Sequence, residues 1–241
     1  MPYNVAVIGR SGVGKSSFIN TIRNINSEHS DSAAVGVIET TIEPKCYRFE
    51  TNAFLWDVQG LGTPSVSKDT YCTAINILRY DMFLILSRGR FLEDDLWLAN
   101  IVRDKLHKNL FFIRTGTDEE LRNHRSDYPK KFNETRVLDS IRENCLLNLY
   151  QNFGTSNTSL YLINAKDKSK YDFPLLIKDI INHINGENML PILTLINDDN
   201  QTTQVPSQEQ SVGQIVGRVA YNWARFGLIS YIYDKYKSQP Q

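Results

Sequence analysis

Tyr3-Asn4-Val5-Ala6-Val7-Ile8-Gly9-Arg10-Ser11-Gly12-Val13-Gly14-Lys15-Ser16-Ser17-Phe18-Ile19-Asn20 is the stretch on which the fold turns. Its first six residues read as a short apolar strand, and Lys15–Asn24 carries a helical period. Between them stands GxxxxGK(S/T) in full, from Gly9 to Ser16. Glycines let the chain turn so tightly that successive N–H groups point inward at a di- or triphosphate. Lys15 brings a positive charge to the β and γ oxygens, and the Ser16 hydroxyl is a ligand for Mg²⁺. The helix opening at Lys15 adds its positive end. Gly9, Ser11, Gly12, Val13, Gly14, Lys15, Ser16 and Ser17 are therefore the expected phosphate-binding set.

Outward from this loop, short β-rich runs alternate with helical ones. Strands are expected at Cys46–Glu50, Ala53–Asp57, Asp81–Leu86, Leu110–Thr115 and Ser159–Ile163, and helices at Asp94–His107, Thr135–Tyr150 and Pro174–Ile184. That alternation predicts a three-layer α/β P-loop domain with a mostly parallel sheet, whose ligand sits at the carboxyl ends of the strands. The domain is expected over residues 1–190. A polar linker follows over 191–213, rich in Asn, Gln, Thr and Ser. A short helical appendage closes the chain over 214–237, where Ile215, Val219, Trp223, Phe226 and Tyr233 make an apolar stripe.

At 241 residues the chain is long enough to bury a core without disulfides or metal. Lys+Arg and Asp+Glu both number 27, a balance that argues against a nucleic-acid binder working by phosphate neutralisation. Cys46, Cys72 and Cys145 lack metal or redox spacing and read as free thiols of a reducing compartment. Met1 and Pro2 alone precede the first strand, so no leader is expected, and the protein is expected to be cytoplasmic.

The strand ending at Asp57 runs into Asp57-Val58-Gln59-Gly60, a DxxG. Asp57 is placed to hold Mg²⁺ through water, and the Gly60 N–H to reach the γ-phosphate. Thr115-Gly116-Thr117-Asp118 follows the fifth strand, where GTPases carry TKxD or NKxD. A carboxylate there accepts from N1–H and the C2 amino group of guanine, so Asp118 is the expected base reader; the bland reading is a turn Asp before the polar stretch Glu119–Asn123. Asn164-Ala165-Lys166 resembles the SAK loop of small GTPases, whose Ala N–H meets guanine O6. Gly116 stands where a Lys stem usually covers the base. Restoring it with Gly116→Lys is expected to tighten guanine nucleotides by about tenfold.

These motifs together resemble the interferon-inducible immunity-related GTPases over about residues 3–187. The likeness extends to Gly36-Val37-Ile38-Glu39-Thr40-Thr41, Asp57-Val58-Gln59-Gly60-Leu61-Gly62-Thr63-Pro64, Phe112-Ile113-Arg114-Thr115-Gly116-Thr117-Asp118 and Tyr171-Asp172-Phe173-Pro174. With Lys15 retained, the chain is similar to the lysine-bearing class. The resemblance implies Mg²⁺-dependent GTP hydrolysis promoted by self-association through the nucleotide face, with peripheral contact at intracellular membranes. It also implies roles for Glu39 in hydrolysis and for Thr41 as a switch ligand of Mg²⁺. Lys15, Glu39 and Thr41 are thus the expected catalytic residues; Ser16, Thr41 and Asp57 the expected metal set; Gly60, Thr115, Asp118, Ala165 and Lys166 the remaining nucleotide contacts.

Leu61 occupies the place where small GTPases carry a water-orienting Gln, which predicts slow turnover by an isolated monomer. The alternative function is a nucleotide-regulated interaction module with little hydrolysis; a P-loop kinase or ATPase ranks third, because it leaves Asp118 and Ala165 unexplained. Glu93-Asp94-Asp95 reads as acids favoured by a helix dipole, not as a metal cluster. His29, His107, His124 and His183 lack ligand spacing.

Overall fold

Val5, Ala6 and Val7 are wholly buried, although neighbouring residues of a strand point to opposite faces. Such a strand needs cover on both sides, and this requirement sets the architecture. The computed structural model describes residues 2–35, 43–60, 68–153 and 159–199. Its elements are β1 (Tyr3–Ile8), α1 (Lys15–Ile22), β2 (Lys45–Glu50), β3 (Ala53–Asp57), α2 (Lys68–Ala74), β4 (Met82–Arg88), α3 (Glu93–Asn100), β5 (Asn109–Thr115), α4 (Thr117–Asp127), α5 (Glu134–Phe153), β6 (Ser159–Leu162) and α6 (Phe173–Asp199). The sheet order is β2-β3-β1-β4-β5-β6. β2 runs antiparallel to β3, and every other pairing is parallel.

Two cores fill the two faces. Ala6, Ile8, Phe83, Ile85 and Phe112 pack with Tyr71 of α2, Leu96 of α3, Leu121 of α4 and Val137 of α5. Val5, Val7, Leu84, Leu86 and Ile113 pack with Phe18 of α1 and with Phe173 and Ile180 of α6. The expected three-layer α/β domain is therefore present, and β1 and β4 deliver their following loops to its middle. Their continuous apolar runs follow from burial on both faces.

Several boundaries differ from expectation. The helix expected over Asp94–His107 keeps α-form only to Asn100; Ile101–Lys105 widens into a π turn, and His107 leaves it at φ 51°. α2 and α4 were not expected as helices. α6 runs on to Asp199, past Ile184 and past the boundary expected at 190. Gly186 lies inside it; a helical Gly costs roughly 1 kcal/mol but keeps both backbone hydrogen-bonding groups, so it need not end a helix. The rest of the expected linker and the expected helix over 214–237 lie outside the described residues. No helix among the described residues is long and apolar enough to cross a membrane.

Candidate functional site

The loop between β1 and α1 takes its shape from three glycines with positive φ, Gly9 (154°), Gly12 (79°) and Gly14 (96°). A Cβ on Gly9 would stand 2.2 Å from the Leu86 carbonyl oxygen, so only glycine lets the loop pass the end of β4. Gly14 opens α1 with no side-chain cap, which leaves the first N–H groups of that helix to the loop's concave side. Lys15 is 9% exposed, and its Nζ donates to the carbonyls of Gly9 at 2.9 Å and Arg10 at 3.1 Å. Its charge is thereby drawn across the mouth of the loop.

Beside this loop the end of β3 brings in Asp57, 2% exposed. Ser16 Oγ donates to Asp57 Oδ2 at 2.7 Å, joining residues 41 apart in sequence. A hydroxyl and a carboxylate this close make a hard-oxygen donor pair suited to Mg²⁺, so the expected metal set fits as far as it is described. Gly60 packs against the same loop: a Cβ there would lie 2.7 Å from the Gly9 carbonyl oxygen. Tyr71 of α2, wholly buried, donates its hydroxyl to the Gln59 carbonyl at 2.7 Å and so holds the DxxG segment from outside.

The carboxyl end of β5 builds the other half. Thr115 is buried, and its hydroxyl donates to the carbonyls of Val13 at 2.7 Å and Ser87 at 3.3 Å. Its side chain thus ties the phosphate loop to β4 and β5, while the residue also lines the cavity beside that loop. Asp118 lies in the first turn of α4, not in a bare turn, and accepts from Arg122 Nη2 at 3.0 Å. Its helical setting fixes the carboxylate's direction while leaving it partly exposed. Across from it, Asn164 Oδ1 accepts the Lys166 N–H at 2.9 Å and curls the loop so that Ala165 packs beside Gly14.

These segments converge on one cavity of about 600 Å³. Its wall contains Ser11, Gly12, Val13, Gly14, Lys15, Ser16, Ser17, Gly60, Thr115, Asp118, Ala165 and Lys166, all expected from sequence. Gly9 and Asp57 stand behind it. Glu39 and Thr41, together with Leu61, lie outside the described residues. Sequence reasoning missed Arg88, Glu119 and Arg122, which share the wall. A charged residue ending an apolar strand and two more in a helix that is polar but for Leu121 carry no local signature of a site.

Arg88 also bears on the expectation for Gly116. That glycine sits in the left-handed region at φ 71°, and a Cβ built on it would lie 3.2 Å from Arg88 Cγ and 3.3 Å from Nε. A lysine added there meets the strain of a left-handed backbone position and a tight contact with the Arg88 stem, which must give by a few tenths of an ångström. Elsewhere, the described residues hold no cluster of three or more His, Cys, Asp or Glu able to bind a metal.

The family model described as Interferon-inducible GTPase (IIGP) matches residues 1–214. Interferon-gamma-inducible GTPase 10 of Mus musculus is 35% identical over 185 residues, 76% of this chain and 44% of the relative. Interferon-inducible GTPase 5 of Bos taurus is 39% identical over 175 residues, 72% of this chain and 37% of the relative. This chain thus spans less than half the length of those relatives. Among solved structures, one from chloroplast translocon components, for whose GTPase activity dimerization is important, matches at TM-score 0.54 with 15% identity, covering 76% of this chain and 83% of that one; it shares the fold.

Proposed function

Because this chain belongs to the interferon-inducible GTPase family, as the family match over residues 1–214 and relatives at 35% and 39% identity establish, we propose that its cavity binds Mg²⁺·GTP and that the protein hydrolyses it. The observation that carries this reading is convergence: the phosphate loop, Gly60, Asp118 and Ala165 come from four distant stretches of chain to one nucleotide-sized cavity. Backbone N–H groups from Gly12 to Ser16 cradle the phosphates, and Lys15 exchanges its carbonyl partners for phosphate oxygens. Ser16 and Asp57 would hold Mg²⁺, which would supply positive charge to offset that of the phosphates. Asp118 accepts from the guanine edge, and the Ala165 N–H donates to O6. Adenine offers no amino group at C2, so the same carboxylate disfavours ATP.

Hydrolysis further requires a group that aligns water, and self-association through the nucleotide face is the source we propose. The family resemblance supports it, as does the dimer-dependent GTPase activity of the structural relative. One experiment tests binding and turnover together: nucleotide affinity by calorimetry, and GTP and ATP turnover across a range of protein concentrations. The parent should prefer GTP, with specific activity rising with concentration. Lys15→Ala and Ser16→Asn should abolish productive Mg²⁺·GTP binding while remaining folded. Normal turnover in both variants overturns the phosphate-site assignment. Tight GTP binding without turnover at any concentration favours the nucleotide-regulated interaction module instead.

A further inference from the structure

Arg88 is the last residue of β4 and lies in register with Thr115 on β5, one residue before Gly116. Its side chain turns across Gly116, with Cγ 3.2 Å, Nε 3.3 Å and Cδ 3.7 Å from the position a Cβ there would take. Its guanidinium is paired with Glu119, in the first turn of α4. The arginine is thus pinned at both ends, by the strand and by the helix that carries Asp118. Its side chain is 53% exposed and lines the cavity that Asp118 and Ala165 also line.

That placement puts a planar cation where a base held by its edge must present a face. Guanidinium groups are planar and weakly hydrated, and they stack on aromatic faces, including those of nucleobases. An ordinary GTPase-type lysine would reach the same place from position 116; here the stem comes from the neighbouring strand. Gly116 is then the complement of Arg88, since a side chain at 116 begins in tight contact with the Arg88 stem. We propose that Arg88, held by Glu119, covers one face of the guanine base, and that Arg88 and Gly116 act as a pair in place of a lysine at 116. This rests on the guanine reading of the cavity and adds the residue that holds the base's face, as Asp118 holds its edge.

Face and edge contacts have different signatures, because every purine has a π-face while only the edge distinguishes one from another. Arg88→Ala should weaken GDP, GTP and xanthosine diphosphate by a common factor of about three to ten in calorimetry. Asp118→Asn should instead shift preference from guanosine toward xanthosine nucleotides. Tripolyphosphate, which has no base, should bind Arg88→Ala and the parent alike. Gly116→Lys should bring no gain in the parent, yet in the Arg88→Ala background it should recover part of the lost affinity, the left-handed backbone at 116 still opposing it, with thermal melts confirming that each variant is folded. Parent-like GDP binding by folded Arg88→Ala overturns the proposal, as does equal weakening of tripolyphosphate or a Gly116→Lys gain of the same size in both backgrounds. A parent protein that binds ATP as well as GTP overturns the guanine reading itself, and Arg88's role with it; a guanine-selective parent with an indifferent Arg88→Ala removes only the latter.

Discussion

Asp95 is the third of three consecutive acids that sequence alone assigns to a helix dipole, and α3 does begin at Glu93. Its carboxylate accepts the Leu92 N–H at 3.0 Å, yet the residue is only 3% exposed. Burial raises its pKa from 3.8 to about 6, against the opposing pull of the Leu92 N–H and the Arg10 charge. In the unfolded chain the carboxyl ionises near its ordinary value. The fold therefore favours the neutral acid: the stabilisation is complete below about pH 4 and is lost as pH rises through about 6. Asp95→Asn keeps an acceptor for Leu92 and removes the titration. Between about pH 4 and 7 the parent's unfolding free energy should fall by on the order of 2 kcal/mol relative to that of the variant. Parallel pH profiles in urea denaturation would show that Asp95 ionises freely in the folded protein.

Among the helices, α5 shows how a local signal becomes a boundary. Asn133 Oδ1 accepts the Arg136 N–H at 3.0 Å, satisfying one of the donors left open at the helix start. Asn133, just before Glu134, is thus the cap of this helix. Asn133→Ala should cost about 1 kcal/mol and lower the melting temperature by about 2–4 °C, whereas an unchanged melt would mean that water replaces the cap at no cost. α4 is the opposite case. Thr117 and Leu121 are its only buried residues, so its sequence has no apolar period to read, and a helix there looked like a polar turn. α2 likewise shows a single buried side chain, Tyr71. Both are placed by tertiary packing, which overrides weak local preference.

Taken as a whole, the molecule couples its phosphate site to the core on the face that α1 and α6 cover. Phe18, three residues beyond Lys15, is wholly buried and stacks on Phe173 of α6 with ring centroids 5.4 Å apart. The first turn of α1 is thereby anchored to the start of α6, near the opposite end of the chain's described residues. Phe18→Ala should destabilise the domain by about 3–5 kcal/mol through the cavity it opens. Mg²⁺·GDP binds only the folded form on the proposed reading, so at a hundredfold excess over its Kd it should return about 2.7 kcal/mol. Chemical denaturation with and without Mg²⁺·GDP measures both. A variant whose stability ignores the nucleotide would uncouple this anchor from the site.

What sequence alone determined is what depends on near neighbours: the strand Tyr3–Ile8, the glycine-rich turn into Lys15, the alternation that demands a covered parallel sheet, and the identity of Asp57, Gly60, Asp118 and Ala165 as candidates. Each is a pattern of a few residues whose backbone geometry or periodicity is set locally. What tertiary structure alone decided is how distant groups share space. Ser16 meets Asp57 across 41 positions, and Thr115 ties back to Val13 across 102. Arg88 fills the slot beside Gly116 because β4 and β5 are neighbours in register. Strand order and register place such pairs, and no window of sequence contains both partners. A missing lysine is therefore visible in the chain, while the arginine that takes its place becomes visible only once the sheet is assembled.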